Sequence, residues 1–337
     1  MNKKRLKKRA KLLGEYGLNL IALSILTGLF SGVVVTFYNI LTGIGEQQSV
    51  KLYKLIAANP GFVPLLFLGL AAGAIIIGTA TRLIPMIRGS GVPQVEGAAR
   101  GILHFKWYSV MCSMFAASLA CVFMGLPAGS EGPSLELGGC AGDGVACMLR
   151  RSLMVRRLQI AAGSAAGLAA AFNAPVTGLS FAMEEAFRSF SAQVFTCSAI
   201  SVLVAVTVRN LVRSALGFSV GFTFTTFEFA APEPMTYLWT AIAAVCAGLL
   251  GVAFYYLMLL CRRGFSRVTF LKGAGKYMIP FMIAGAFGLI SAYAMGGGHD
   301  FIESLGSLHE GGLERILGIS VAATQAIVVL MRFISTI

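Results

Sequence analysis

Apolar residues run in long blocks separated by short polar breaks: 17–44, 61–84, 108–128, 158–183, 191–212, 235–261, 277–295 and 313–334. A helix that crosses a bilayer takes about 20 apolar residues, so the pattern predicts an all-α polytopic membrane protein. Two stretches depart from it. Within 158–183 the triplet Asn173-Ala174-Pro175 interrupts the run and predicts two short helices meeting at a turn. The stretch 131–150 is glycine-rich and only partly apolar, which predicts a re-entrant or broken helix. Non-helical backbone at that depth is tolerated only under protein cover or beside a water-filled cavity. Short segments interrupted by Gly or Pro are the best sequence pointer to a transport site.

The blocks repeat weakly. Gly89-Ser90-Gly91 follows one apolar run, and Glu96 lies seven residues after its first glycine. Gly296-Gly297-Gly298 follows another, and Glu303 lies seven residues after its first glycine. The offset from Gly89 to Gly296 is 207 residues, and it carries 61–84 and 108–128 largely onto 277–295 and 313–334. Chance agreement between glycine-rich membrane segments is the alternative. Loop charge favours a repeat of inverted topology. Region 82–106 holds Arg82, Arg88, Arg100 and Lys106 against Glu96 alone, whereas 297–312 holds Asp300, Glu303 and Glu310 with no Lys or Arg. Basic loops stay on the cytoplasmic side, so the two loops are expected on opposite faces. Two further basic clusters, Arg150, Arg151, Arg156 and Arg157, then Arg262, Arg263, Arg267, Lys272 and Lys276, fall inside on the same count.

Residues 1–16 carry seven Lys/Arg among the first eleven and precede a run too long for a signal peptide. They read as a basic cytoplasmic leader. Residues 17–212 then form a first membrane repeat and 213–337 a partial second one. The offset carries Gly129 to position 336, so the second repeat is expected to be incomplete and the chain to be a fragment or a truncated form.

Composition agrees with the pattern. Apolar residues make up 57% and charged residues 12%, with 40 glycines and a mean hydropathy of +0.80. Glycine at this level suits helices that pack closely in a membrane. The formal charge of +13 lies at the ends of apolar blocks, as the positive-inside rule requires, and not on an aromatic-interleaved face that would bind nucleic acid. The seven cysteines are scattered, with no CxxC pair and no zinc spacing, so they read as small buried hydrophobes.

The chemistry concentrates at Gly129-Ser130-Glu131-Gly132-Pro133, directly after the 108–128 run. A charge at the bilayer centre costs about 2.5–3.5 kcal/mol, so such a residue faces a polar pathway. Glycines admit backbone amides close to a ligand, and a new helix presents unpaired N–H groups with partial positive charge. That is the chemistry of an anion site, and a carboxylate on the same turn competes with the anion as a gate. A carboxylate that merely caps its helix is the plainer reading.

Four stretches now stand in order: Gly89-Ser90-Gly91-Val92-Pro93, Gly129-Ser130-Glu131-Gly132-Pro133, Ala169-Ala170-Ala171-Phe172-Asn173-Ala174-Pro175 and Phe181-Ala182-Met183-Glu184-Glu185. In this order they resemble the CLC family of chloride channels and proton/chloride exchangers, from about residue 17 to the end. The resemblance implies a CLC-type inverted-repeat fold with broken and re-entrant helices, homodimeric, with one pore per subunit. It implies that Ser90 and the amides around Gly89, Gly91 and Gly132 hold chloride, since serine at this position goes with chloride and proline with nitrate. It also implies that Glu131 is the external gate and that Glu185 passes protons from the cytoplasm. The plainer alternatives are a loop serine for Ser90 and a solvated helix end for Glu184 and Glu185, with Arg188 one turn on.

Three departures stand out. Ser130 occupies a position where the family carries arginine, which removes a fixed positive charge beside the gate. Glu136 stands where many members carry an uncharged polar residue. The family's Gly-x-Phe-x-Pro motif and its late tyrosine do not occur, so this polypeptide alone is not expected to form a complete pore.

The expected function is proton-coupled chloride exchange. The alternatives are a passive chloride channel on the same scaffold, against which Glu185 argues, and a truncated product that does not transport. No His-Glu-x-x-His or Gly-x-Ser-x-Gly pattern suggests an enzyme. His104, His299 and His309 build no zinc, haem or nucleotide site, so no cofactor is expected beyond chloride as the transported ligand. The expected partners are chloride, protons and the lipid bilayer, with no nucleic acid. The expected place is a bacterial inner membrane, with the N-terminus in the cytoplasm.

Overall fold

The structure, a computed structural model, describes residues 3–188, 190–218, 233–267, 273–298, 302, 327–332 and 334. Among these the regular structure is helical: α1 (Lys3–Ala58), α2 (Val63–Leu83), α3 (Val92–Ala99), α4 (Trp107–Phe123), α5 (Glu131–Met148), α6 (Leu153–Phe172), α7 (Pro175–Phe181), α8 (Ala192–Ala215), α9 (Pro234–Arg267) and α10 (Met278–Ile290). Among the described residues five stretches are long and apolar enough to cross a membrane: Gly17–Ala58, Pro60–Leu83, Ala192–Ala215, Pro234–Gly264 and Gly273–Ile290. The protein is an integral, multi-pass membrane protein. Most of the block 313–334 lies outside the described residues, as do Asp300, Glu303, Glu310, His299 and His309.

Element boundaries differ from the apolar blocks where local chemistry overrides hydropathy. The first block lies inside one helix that runs from Lys3 to Ala58, so the basic leader and the first crossing share a helix. The turn expected at Asn173-Ala174-Pro175 is present. Asn173 ends α6 in the left-handed region (φ 55°), which short polar side chains tolerate, and Pro175 opens α7, where a missing N–H costs nothing. The interruption expected within 131–150 falls ahead of it, over 124–130, and α5 itself is continuous.

The described residues pack as two compact units. The first takes in Met1–Gly45, Ala80–Ala120 and Gly129–Gly221. Its centre is α5 lying against α6 at backbone contact. A Cβ on Gly138 would run into the carbonyl oxygen of Gly163, one on Gly163 into that of Gly138, and one on Gly142 into that of Gln159. Small residues at such a contact let helices associate by van der Waals packing where lipid supplies no hydrophobic drive. A buried polar network ties α1 and α8 to the same pair. Thr27 Oγ1 donates to Gln159 Oε1 (2.7 Å), Gln159 Nε2 to Ser24 Oγ (3.3 Å) and Ser201 Oγ to the Ser24 carbonyl (2.8 Å). Gly142→Ala is expected to cost about 1–3 kcal/mol by overpacking against backbone that cannot yield. A lowered thermal midpoint of the purified protein checks it.

The second unit takes in Glu46–Thr79, Cys121–Ala128 and Phe222–Ile337. Tyr53 Oη donates to the Met124 carbonyl (2.9 Å). The amide of Gly297 donates to Glu46 Oε1 (2.7 Å), and Arg332 donates to the carbonyls of Tyr293, Met295 and Gly296. No residue of α9 between Pro234 and Gly264 is buried; an apolar helix of this kind is at home against lipid tails.

The weak repeat has a structural counterpart at the same offset of 207. In the first unit a 3-10 turn at Pro85–Ile87 leads into Gly89 (φ 103°) and Gly91 (φ 81°). In the second a 3-10 turn at Ala292–Ala294 leads into Gly296 (φ 60°) and Gly298 (φ 91°). The preceding helices, α2 and α10, end at Leu83 and Ile290, also 207 apart.

Candidate anion site

Glu131 is the first residue of α5, and the chain before it, from 124 to 130, is not helical. Ser130 supplies no side-chain cap. The first amide bonded within the helix is that of Ser134, which donates to the Ser130 carbonyl (3.0 Å). Pro133 has no N–H. The orphan donors at the head of α5 are therefore the amides of Ser130, Glu131 and Gly132, and the helix dipole adds partial positive charge to them.

The Gly89–Gly91 loop lies on this helix head. A Cβ on Gly132 would overlap the carbonyl oxygen of Ser90, so only glycine permits the approach. On the loop side, Gly91 is buried and caps α3 with φ 81°. Its carbonyl accepts from the Val95 amide (3.0 Å), and Pro93 in the first turn of α3 needs no N–H partner. A Cβ on Gly91 would stand 2.9 Å from the Gly132 carbonyl and 2.8 Å from Glu136 Oε2. The heads of α3 and α5 thus meet at one loop, with Ser90 and Gly89 exposed and Glu131 part-buried. The Glu131 side chain folds back over Gly129, where its carboxylate oxygen takes the space of a Cβ. An anion at such a meeting point has the amides of the α5 head and two helix dipoles to draw on. The carboxylate of Glu131 is placed at the same end.

Ser90, Gly91, Glu131 and Gly132 are brought together; Glu185 is not with them. It sits in a single π-helical turn, Ala182–Ala186, beside the far end of α3. Its carbonyl accepts from Arg100 Nη2 (3.4 Å) and its Oε1 from Arg188 Nη2 (3.3 Å). Arg188 also reaches Glu96 Oε1 (3.0 Å), the oxygen that Arg100 pairs with. The Glu185 side chain is 43% exposed, so it meets solvent as well as its ionic partners. Counted along α3 at about 1.5 Å per residue, the cluster begins roughly 7.5 Å from Gly91, at Glu96, and ends roughly 13 Å from it, at Arg100. Glu184 is exposed.

Sequence reasoning placed Arg188 beside Glu185 but missed Glu96 and Arg100 as members of the same cluster. Their i, i+4 spacing on α3 was the available signal. It also missed the pair formed by Asp143 of α5 and Arg156 of α6, bidentate at 2.7 and 2.9 Å, with the Asp143 side chain 3% exposed. Arg156→Ala leaves that carboxylate buried and uncompensated. The expected loss is about 3 kcal/mol, read as a fall in the unfolding midpoint in detergent.

Comparison with known proteins identifies the family. The model for the voltage gated chloride channel family matches residues 72–337. The chain belongs to the voltage-gated chloride channel family. Curated relatives within the family include the H(+)/Cl(-) exchange transporter ClcA of Vibrio cholerae serotype O1, 30% identical over 297 residues, which cover 85% of this chain and 62% of the relative. ClcA of Salmonella paratyphi B is 28% identical over 306 residues, covering 85% and 61%. This chain therefore spans about three-fifths of the length of these relatives. Among solved structures, a slow cyanobacterial Cl−/H+ antiporter superposes with a TM-score of 0.80 at 23% identity, over 94% of this chain and 72% of the other. A CLC-type fluoride/proton antiporter superposes with a TM-score of 0.72 at 17% identity, over 95% and 75%. At these identities the superpositions establish the CLC fold and leave the transported ion to the residues at the site.

Proposed function

We propose that the protein exchanges chloride for protons across a bacterial inner membrane. The observation that carries the reading is the contact of the Ser90–Gly91 loop with the uncapped head of α5, beside the folded-back carboxylate of Glu131. Chloride sits on the amides of the α5 head and on the Ser90 hydroxyl, with Gly89, Gly91 and Gly132 keeping the backbone close. Glu131 competes with it as a carboxylate and withdraws when it takes a proton. Glu185 loads that proton from the cytoplasmic side, where its part-exposed carboxylate and the Glu96–Arg100–Arg188 cluster meet solvent. The basic leader places the N-terminus inside, and a homodimer with one pathway per subunit follows the family resemblance. Curated relatives described as H(+)/Cl(-) exchange transporters support exchange over passive conduction.

The test is proton uptake by vesicles containing the purified protein when a chloride gradient is imposed. Exchange predicts proton movement against its own gradient, whereas a passive channel gives a reversal potential that ignores pH. Glu185→Gln keeps the size of the side chain and its bond to Arg188. It is expected to slow proton transport by about a hundredfold, the scale of a lost proton-transfer group, with chloride flux retained. Equal loss of both fluxes contradicts the role assigned to Glu185.

A further inference from the structure

Glu136 lies five residues after Glu131 on α5 and is 1% exposed. Among the described residues neither of its carboxylate oxygens has a hydrogen-bond partner. Oε2 stands 2.8 Å from the place a Cβ would take on Gly91, the residue that joins the Ser90 loop to the head of α3. A buried carboxylate without a donor is costly, and a second negative charge beside an anion site adds repulsion. The neutral acid is the form that suits this place, and as an acid Glu136 gains an O–H to donate.

The groups around it leave this assignment clear. On its own helix are Cys140, one turn on, and Asp143, which is committed to Arg156 of α6. Arg157 of α6 lies against Gly101, beyond the far end of α3. On α3, Glu96 is paired with Arg100 and Arg188, and the Gln94 amide is turned to the Arg88 carbonyl. Tyr38 of α1 is buried in the cluster that holds Leu137 and Cys140. Among the described residues no ion pair brings a cation to Glu136.

We propose that Glu136 is a second proton-binding group of the anion site: it stays protonated while the Ser90–Gly91 loop holds an anion, and its ionisation at alkaline pH expels that anion. The proposal rests on the anion-site reading above. The proton moves between Glu136 and solvent, and no other bond changes. Glu131 and Glu136 then act in sequence along one helix, the first at its head and the second about 7.5 Å along the axis.

Chloride binding to the purified protein, titrated with sodium chloride from neutral to alkaline pH, tests this in the Glu131→Gln background, where the gate no longer ionises. The dissociation constant is expected to rise about tenfold per pH unit once Glu136 ionises, and to become flat in Glu131→Gln/Glu136→Gln. Cys140→Ser in the Glu131→Gln background is expected to keep the slope. A slope that survives Glu136→Gln, or disappears with Cys140→Ser, overturns the proposal. If Glu136→Gln does not fold, infrared spectra of the chloride-bound Glu131→Gln protein decide instead. They should contain the carbonyl stretch of a protonated carboxylic acid that fades as chloride is lost at alkaline pH, and its absence overturns the proposal. Chloride binding with no alkaline slope removes the role of Glu136 alone. No measurable chloride binding in the unmodified protein at any pH removes the anion-site reading and this proposal with it.

Discussion

Vesicles carrying the Glu131→Gln variant are expected to pass chloride while a chloride gradient no longer moves protons. The argument is one of exclusion. At about 4 Å, two like charges in surroundings of effective dielectric near 20 repel by roughly 4 kcal/mol. That amounts to about three powers of ten in occupancy, so chloride and an ionised Glu131 cannot share the head of α5. Exchange follows if the carboxylate must take a proton before chloride enters. Glutamine matches the neutral acid in shape but cannot give the proton back. Chloride-driven proton uptake should fall to the background of empty vesicles, and chloride flux should remain. A variant that still pumps protons in strict proportion to chloride contradicts the gate.

The second large effect is expected at Gly132. A Cβ there overlaps the Ser90 carbonyl oxygen and comes to 3.0 Å from its carbonyl carbon. Both are backbone atoms of a loop fixed on its other side by Gly91, which is buried and strained for any other residue by its positive φ. Gly132→Ala must push the loop from the helix head at a cost of about 1–3 kcal/mol. The Ser90 hydroxyl moves with the loop. Chloride affinity is expected to fall by about tenfold or more, together with the thermal midpoint, and both are measurable on the same detergent-solubilised sample. Unchanged chloride affinity in a folded Gly132→Ala protein contradicts the placement of the loop in the site.

Much of this arrangement was legible in the chain because it is written in local chemistry. The turn at Asn173-Ala174-Pro175 needs only an asparagine that accepts a left-handed backbone and a proline that opens a helix. The glycine stretches at 89–91 and 296–298 were legible as a repeat, and the structure has positive-φ glycines at matching positions of both. What could not be read depends on packing between distant segments. The glycines of α5 suggested a helix that breaks; they serve instead to bring a continuous helix against α6. The polar stretch after Ile44 suggested the end of the first crossing. The helix runs on to Ala58, and Glu46 turns to the amide of Gly297. The spacing of Glu185 and Arg188 was visible, but their meeting with Glu96 and Arg100 requires α3 to lie beside the 182–186 turn. Burial of Glu136 was likewise invisible, since a lone glutamate on a glycine-rich helix looks the same whether or not it has a partner.

The central claim is that an anion sits where the Ser90–Gly91 loop meets the head of α5. Anomalous scattering from crystals grown in bromide tests it most directly. The account predicts a bromide peak within hydrogen-bonding reach of the Ser90 hydroxyl or the amides of the α5 head, stronger in Glu131→Gln than in the unmodified protein. Ordered bromide elsewhere in the protein, with none at this junction in either form, would contradict it.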